Sequence, residues 1–265
     1  TNISTDGITG NGTVNVAGLE SGATWQYSTD SGNTWKSGNG SSLTLTAGTY
    51  AANAVKVKQM DVAGNVSPVA SLATVVTVDT TAPAAPAFAL ASDTNITTDG
   101  ITRNGSITLS GLEAGATWQY STDGGTHWSI GSGASFALVT GTYAADAVKV
   151  KQTDVAGNVS AVASNTGVII VDSTAPAAPS LDLASDTNIS SDGITSNASV
   201  NVTGLEAGAT WEYSTDGGLN WSNGSGSSFT LVVGTYPANA VKVKQTDVAG
   251  NVSSAGVNIS AMTVD

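Results

Sequence analysis

The residues in this sequence that could do chemistry are its carboxylates. The chain has 265 residues, and its 20 acidic and 8 basic side chains leave a formal net charge of -12. Several aspartates return at a constant spacing of 93 residues, as Asp6, Asp99 and Asp192 do (99 minus 6, and 192 minus 99). Carboxylate oxygens are ligands for hard divalent cations, so acids placed by a repeating unit are candidate metal ligands. The negative charge also predicts no binding to nucleic acid.

Aromatic residues follow the same spacing, which makes the whole chain a tandem repeat. Trp25, Trp118 and Trp211 are 93 residues apart (118 minus 25, and 211 minus 118), with no insertions or deletions between them. A fixed period of this kind indicates repeated structural units. We predict three domains, the first lacking its opening strand, at residues 1–79, 80–172 and 173–265.

Each unit has the pattern of a β-sandwich. Short alternating segments between Gly, Asn and Asp turns are typical of antiparallel sheets, and no stretch has helical periodicity. The predicted fold class is therefore all-β, with three tandem immunoglobulin-like β-sandwich domains in an elongated rod. In the middle unit the predicted strands are A near 86–91, B near 106–110, C near 116–122, a return strand near 126–130, E near 134–139, F near 147–153 and G near 166–171.

Strand direction predicts which acids meet. If strand A runs downward, the AB loop (residues 92–102 and 185–195) and the end of strand G lie at the bottom of a unit. The FG turn (residues 60–67, 153–160 and 246–253) then lies at the top. Head-to-tail stacking would bring the bottom acids of one unit to the top acids of the next. The second junction would gather Asp93, Asp99, Asp172 and Asp247, with Glu206 and the Asn251 side chain as additional candidates. The first would gather Asp6, Asp79 and Asp154, with Glu113 as an additional candidate.

Converging carboxylates repel one another unless a cation neutralises them, and no Lys or Arg lies in these loops. Ca²⁺ accepts about six to eight oxygen ligands in irregular geometry. Zinc is disfavoured because the chain has no Cys and a single His, His127. We predict Ca²⁺ as the cofactor, with metal ligands at Asp6, Asp79, Asp93, Asp99, Asp154, Asp172, Asp192 and Asp247. Two alternatives stay open: a site within the AB loop and joint of one unit, and an FG turn whose Asp and Asn only shape the turn.

A further motif, Ser28–Trp35, matches the S-x-D-x-G-x-T-W pattern of the Asp box and recurs more loosely at 121–128 and 214–221. It predicts a hairpin in which Asp accepts backbone amide bonds, Gly takes an unusual φ and Trp packs over the loop. A sialidase site is disfavoured, because such sites need several arginines and Arg103 is the only one here. Since no pair of nucleophile and base recurs either, we predict that the protein is not an enzyme.

Three motifs carry a family resemblance over the whole chain. They are Val-Asp-Thr/Ser-Thr-Ala-Pro at 78–83 and 171–176, the Ser-Asp-Thr-Asn-Ile-x-x-Asp-Gly-Ile-Thr sequence of the AB loop, and Thr-Asp-Val-Ala-Gly-Asn-Val-Ser in the FG turn. The chain resembles the tandem bacterial immunoglobulin-like repeats of giant type I-secreted, RTX and biofilm-associated adhesins. The resemblance implies a secreted or bacterial cell-surface location and calcium-rigidified rods that hold a distal binding region away from the cell. It implies Ca²⁺ at Asp79, Asp93, Asp99, Asp154, Asp172 and Asp247.

Together these features predict a non-catalytic structural extender of a large adhesin, rigidified by Ca²⁺ at its interdomain joints. Its partners would be the neighbouring repeats of the same chain, with a host or abiotic surface contacted only through other regions of the full protein. No apolar run reaches about 18 residues, so no membrane insertion is expected from this segment. The alternative is a carbohydrate- or surface-binding module in which Trp35, Trp128 and Trp221 serve as sugar platforms.

Overall fold

The computed structural model describes residues 6–265, and this part of the chain is all-β and contains no helix. The predicted fold class is confirmed at that level. Period-two alternation is visible in the side chains, because Val148 and Val150 are fully buried while Lys149 and Lys151 are half-buried. Residues 1–5 of the predicted first repeat lie outside the described residues.

Strands recur at the same 93-residue spacing that the sequence has (101 minus 8 for the first strand of each set). The first repeat contains β1 (Ile8–Thr9), β2 (Thr13–Asn15), β3 (Thr24–Ser28), β4 (Lys36–Ser37), β5 (Ser42–Thr44), β6 (Gly48–Tyr50), β7 (Lys56–Met60), β8 (Ala70–Ser71) and β9 (Val76–Val78).

In the part of the chain that the structure describes, the second and third repeats each have one strand more than the first. The second contains β10 (Ala87–Leu90), β11 (Ile101–Thr102), β12 (Ser106–Ser110), β13 (Thr117–Ser121), β14 (Ser129–Ile130), β15 (Ser135–Ala137), β16 (Gly141–Tyr143), β17 (Lys149–Thr153), β18 (Ala163–Ser164) and β19 (Ile169–Val171). The third contains β20 (Ser180–Leu183), β21 (Ile194–Thr195), β22 (Ser199–Thr203), β23 (Thr210–Ser214), β24 (Ser222–Asn223), β25 (Ser228–Thr230), β26 (Gly234–Tyr236), β27 (Lys242–Thr246), β28 (Gly256–Val257) and β29 (Met262–Val264).

Each repeat forms the same set of small sheets. A four-stranded antiparallel sheet has the orders β4-β3-β7-β8, β14-β13-β17-β18 and β24-β23-β27-β28. A three-stranded sheet with one parallel pair has the orders β1-β9-β6, β11-β19-β16 and β21-β29-β26. The opening strands complete a third sheet, β10-β12-β15 and β20-β22-β25, whose counterpart in the first repeat is the pair β2-β5.

The short strands β11, β16 and β18 are not among the predicted ones. β11 lies within the AB loop and pairs in parallel with β19, through Ile101 opposite Ile170 and Thr102 opposite Val171. Because of this pairing, the AB loop lies beside the end of strand G, where Asp172 follows. The amide N–H of Asp172 donates to the carbonyl of Thr102 over 2.9 Å.

The cores of the first and third repeats are built from all their sheets, as in a sandwich. In the first repeat Trp25 of β3, Leu43 of β5 and Val78 of β9 are buried together. Gly38 must lack a side chain because a Cβ there would overlap the Trp25 indole. In the third repeat the equivalent core is larger and consists of Val200, Val202, Trp211, Phe229, Leu231, Tyr236, Val241, Val243, Met262 and Val264.

The chain divides into two compact units. One comprises the residues up to Phe88 together with Leu109–Ser135 and Ala147–Ser164; the other comprises Ala89–Thr108, Phe136–Asp146 and Asn165–Asp265. The FG turn at 153–160 and Asp79 belong to the first unit, and the FG turn at 246–253, the AB loop at 92–102 and Asp172 belong to the second. Within residues 6–265 no helix has the length and apolar character needed to cross a bilayer.

Candidate calcium sites at the repeat junctions

The aspartate near the end of each AB loop shapes its own backbone. One carboxylate oxygen of Asp99 accepts a hydrogen bond from the amide of Ile101 over 2.9 Å. Asp6 accepts the equivalent bond from the amide of Ile8 over 2.8 Å, and Asp192 accepts it from the amide of Ile194 over 2.9 Å. These three predicted ligands are exposed, and each forms a local turn of the kind that Asp favours.

The aspartate at the start of the AB loop has a buried oxygen with no partner. Asp93 accepts a hydrogen bond from the amide of Gly100 at Oδ2, over 3.2 Å, while its Oδ1 is buried and unpaired. Asp186 repeats both features, with Gly193 as the donor at 3.0 Å. Across residues 6–265 these two Oδ1 atoms are the buried side-chain polar atoms without a hydrogen-bond partner. A buried carboxylate oxygen left this way is costly, so the position fits a ligand to a cation.

Asp186 is absent from the predicted ligand set, although it has the same environment as Asp93. The signal that could have found it is the 93-residue spacing (186 minus 93), which makes the two residues equivalent. In a tandem repeat, equivalent positions have the same surroundings wherever the residue is unchanged. Both positions are aspartate here.

The aspartate that ends strand G lies half-buried beside the AB loop. Asp79 and Asp172 each accept a hydrogen bond at Oδ1 from the amide two residues ahead, over 2.9 Å. This bond starts the proline-containing linker that leads to the next repeat. The carbonyl oxygens of the same two aspartates accept bonds from the following repeat.

The FG-turn aspartates direct both carboxylate oxygens into their own turn. Asp154 is 1% exposed; it accepts the amide of Asn158 at Oδ1 over 2.7 Å and the side-chain amide of Asn158 at Oδ2 over 2.8 Å. Asp247, 4% exposed, makes the same two bonds with Asn251 over 2.8 and 2.9 Å. The geometry matches the alternative in which Asp and Asn shape the turn.

Burial and hydrogen bonding act in opposite directions on Asp154. Burial raises the pKa of this carboxyl, whereas the bonds from the side chain and backbone of Asn158 lower it, and the net pKa lies below the usual 3.8. Asp61, in the first repeat's FG turn, also has a lowered pKa, chiefly because the Asn65 side chain donates to it. The carboxyls therefore stay ionised while they hold the turn.

At the first junction, the FG turn of the second repeat is hydrogen-bonded to the first repeat. The side chain of Asn158 donates to the carbonyl of Asp79 over 2.7 Å as well as to Asp154. The amide of Gly10 donates to the carbonyl of Ala156 over 2.8 Å. One asparagine thus links the FG turn of the second repeat to the end of strand G in the first repeat.

At the second junction the same link is present and further donors are added. Asn251 donates to the carbonyl of Asp172 over 2.8 Å. Side chains in and beside the AB loop donate to four successive backbone carbonyls of the turn. Asn95 Nδ2 donates to the carbonyls of Asp247 and Val248, each over 3.2 Å. Thr94 Oγ1 donates to the carbonyl of Ala249, and Arg103 Nη1 to that of Gly250 over 2.7 Å. These side-chain donors were not identified from the sequence, and Arg103, which directly follows the AB loop, brings a positive charge to this junction.

Four of the eight predicted ligands are linked in pairs, through the backbone carbonyl of one aspartate and the carboxylate of the other. Asp79 lies near Asp154 through Asn158, and Asp172 lies near Asp247 through Asn251. In the part of the chain from residue 6 onward, no group of three or more acidic or histidine side chains is arranged to hold a metal ion. The eight-residue ligand set stays a prediction, and Asp93 is the member whose surroundings fit a cation best.

The Asp-box hairpins form as predicted. Asp30 accepts the backbone amide and the hydroxyl of Thr34, over 2.9 and 2.6 Å, and Gly32 has a φ of 97°. The Thr34 hydroxyl is the main reason that the pKa of Asp30 is far below its usual value. The Trp35 indole donates to the Gly32 carbonyl over 3.0 Å.

A lysine ammonium covers the outer tryptophan of each hairpin. Lys58 lies 4.2 Å from the ring centroid of Trp35, and the same contact joins Lys151 to Trp128 at 4.1 Å and Lys244 to Trp221 at 4.2 Å. The rings are half-buried. The tryptophans predicted as sugar platforms therefore already have a cation on the ring.

The chain matches no protein-family model, and a search of curated proteins found no significant match.

Proposed function

We propose that the protein is a non-catalytic structural extender, a segment of a bacterial cell-surface adhesin in which each repeat is fixed to the next. The observation that carries this proposal is the asparagine link, Asn158 to Asp79 and Asn251 to Asp172. A repeat that only needed to be tethered would need no such bonds. Repeats that keep a set orientation do need them, which is what a spacer requires.

Each hydrogen bond at a junction contributes little free energy by itself, and the covalent linker makes these bonds easier to form. A hydrogen bond contributes about 1 kcal/mol net in a protein. The covalent linker keeps the two partners at high effective concentration, so docking has little association entropy to overcome. Pro83 and Pro86, or Pro176 and Pro179, are buried in these linkers and restrict their φ. Short stiff linkers and side-chain donors together favour one docked arrangement.

Calcium is proposed as the ion of the AB loop. Asp93 and Asp186 would supply the ligands, because each has a buried carboxylate oxygen in need of a positive partner. The ion would neutralise this oxygen and hold the loop that carries Thr94 and Asn95. Binding only to the folded, docked state would add about 2.7 kcal/mol at a hundredfold excess over Kd. Millimolar extracellular calcium would fill such a site, whereas it would stay empty in the cytosol.

Small-angle scattering of the chain in calcium and in chelator tests the proposal. We expect a smaller maximum dimension, or a broader distribution of interatomic distances, once calcium is removed. Asp93→Asn should lose this response, and the control Asp182→Asn, which changes an exposed aspartate of β20, should keep it. A profile that does not change with chelator would contradict a calcium-stiffened extender.

The alternative of a sugar-binding module gains no comparable support. The ring of Trp35 already contacts Lys58, and its indole N–H is used within the hairpin. Quenching of tryptophan fluorescence by a panel of glycans would favour this alternative over a spacer. We expect no saturable quenching.

A further inference from the structure

A buried glutamine near the end of β27 contacts the proline-containing linker (residues 173–179) that leads into the third repeat. Gln245 is 0% exposed. Its side-chain amide donates to the carbonyl of Ala177 in the linker over 2.8 Å and to the carbonyl of Gly204 over 2.9 Å. Its side-chain oxygen accepts a hydrogen bond from the amide of Glu206 over 2.8 Å. Both N–H donors of this side chain are therefore used, and one of them holds the linker.

The second repeat has the same contact with the linker that precedes it (residues 80–86). Gln152 of β17 is 1% exposed, and it donates to the carbonyl of Ala84 over 2.7 Å and to that of Gly111 over 3.0 Å. It accepts the amide of Glu113 over 2.8 Å. Because a buried amide N–H without a partner is costly, this position of the sheet favours a conformation in which a linker carbonyl is bonded to it.

Other parts of the linker also lie on the repeat that follows it. Pro176 and Pro179 are buried. A Cβ at Gly256 of β28 would overlap the carbonyl oxygen of Pro179, so the linker approaches this strand as closely as glycine alone allows. The side chain of Asn251 donates to the carbonyl of Asp172, directly ahead of the linker. The third repeat therefore contacts the linker near both of its ends.

The chain changes its attachment from one repeat to the next over a few residues after strand G. The amide of Asp172 is bonded to the second repeat, at the carbonyl of Thr102, over 2.9 Å. The hydroxyl of Ser173 is also bonded to the second repeat, at the hydroxyl of Thr140, over 2.8 Å. Ala177 is bonded to the third repeat. A pivot between the two repeats therefore lies ahead of Ala177.

We infer that Gln152 and Gln245 are positioning residues, which anchor each linker to the repeat that follows it. The chain from Ala84 onward at the first junction, and from Ala177 onward at the second, moves with the following repeat as one body. A free linker would let neighbouring repeats sample many orientations, whereas an anchored one leaves only the backbone torsions ahead of the anchor. The inference rests on the proposed extender function for its purpose, but the anchor itself needs no metal ion.

Residual dipolar couplings of the isotope-labelled 265-residue chain test whether the linker moves with the third repeat. The N–H group of Ala178 belongs to the peptide whose carbonyl accepts the bond from Gln245, so its coupling reports on the anchored segment directly. We expect the couplings of Ala177 and Ala178 to fit the alignment tensor of β22, β23 and β27, in calcium and in chelator alike. Couplings that average towards zero in the unsubstituted chain would overturn the inference.

A substitution at the anchor should release the linker while the third repeat stays folded. Gln245→Met keeps the length of the side chain but removes its donor to the linker. The couplings of Ala177 and Ala178 should fall at least twofold in magnitude, because the linker then averages over many orientations, and those of β22 and β23 should keep their values. If this variant does not fold, the couplings of the unsubstituted chain in chelator decide the question by themselves.

The matched control is Ser253→Ala. Ser253 is 8% exposed, and its hydroxyl accepts the backbone amide of Gln245 over 3.0 Å, so the change removes a buried bond from the same residue without touching the linker. The linker couplings should be unchanged in this variant. Equal changes in the two variants, or no change in Gln245→Met, would contradict the anchor. Failure of the extender proposal is a separate result, because the response of the scattering profile to calcium decides it.

Discussion

The first and third repeats have the same FG turn in different surroundings. Asp61 accepts the backbone and side-chain amides of Asn65, each over 2.8 Å, and Asp247 accepts the same two bonds from Asn251. Yet Ala63 is exposed, and Ala249 is 0% exposed because the AB loop at 92–102 lies on it. The turn geometry is therefore encoded within each repeat, and its burial is a property of the junction.

The core valines of the two repeats also differ in burial. Val57 packs against the core of the first repeat and is half-buried, whereas Val243 is 0% exposed in the third repeat, where β20 contacts β27. Equivalent residues can thus contribute different amounts to stability in the first and third repeats. Paired substitutions in the first and third repeats measure that difference.

The largest difference is expected for the turn asparagine. Asn251→Ala removes the donors to Asp172 and to the buried carboxylate of Asp247, and we expect the opening free energy of the third repeat to fall by about 3 kcal/mol. Asn65→Ala, the matched change in an exposed turn, should cost less than about 1 kcal/mol. Native-state hydrogen exchange reports both values repeat by repeat. Equal costs would mean that the junction adds nothing to the turn.

Core valines should give the next largest difference. Val243→Ala removes two buried methyl groups and should cost about 2 kcal/mol, including the cavity that it leaves. Val57→Ala should cost about half as much, since this side chain is half-buried. The same exchange experiment measures the two variants. If Val57→Ala proved as costly as Val243→Ala, the difference in burial between the two valines would not determine their contributions to stability.

The arginine of the second junction should have a smaller effect. Arg103→Ser introduces the residue that the third repeat has at the equivalent position, Ser196, and removes the bond to the Gly250 carbonyl. We expect a loss of about 1 kcal/mol in protection of the 246–253 turn, because the arginine is exposed. The reverse change, Ser196→Arg, should leave protection unaltered. A loss in Arg103→Ser matched by a gain in Ser196→Arg would indicate a general charge effect.

The smallest effect is a pKa change in the exposed turn. Asn65 lowers the pKa of Asp61 below its usual 3.8, so the turn is stabilised at pH values above 3.8. This stabilisation is lost as the pH falls through the folded-state pKa. Asn65→Ala should move the pKa of Asp61 back towards 3.8, and a carboxyl titration by NMR would show it. An unchanged pKa would mean that Asn65 does not hold the carboxylate in solution.

The sequence predicted the longer strands and the turns well. β10, β12 and β13 were expected from alternation over five or more residues, and the Asp-box hairpins from their turn residues. β11, β16 and β18 were missed because they are two or three residues long and, unlike β14, do not follow a recognisable turn motif such as the Asp box. These short strands matter for function, since β11 fixes the AB loop beside Asp172.

The sequence indicated which loops meet at the junctions, but not which side chains form the hydrogen bonds there. Strand direction correctly indicated that Asp172 and Asp247 lie near each other. The donors Thr94, Asn95 and Arg103 could not be identified, because a side chain that bonds a distant carbonyl leaves no pattern in the sequence. For the FG turn the sequence left both a metal and a turn role open, and Asn158 and Asn251 are now seen to engage both carboxylate oxygens.

The most direct test of the account is a distance distribution across the second junction. The chain has no cysteine, so Thr142→Cys and Ser227→Cys, both at exposed positions, can carry spin labels without competing sites. Double electron–electron resonance should give one narrow distribution of distances between the two spin labels in calcium. The distribution should be clearly broader once Asn251→Ala is added. Equally broad distributions with and without that substitution would contradict the claim that side chains at the junction fix one repeat to the next.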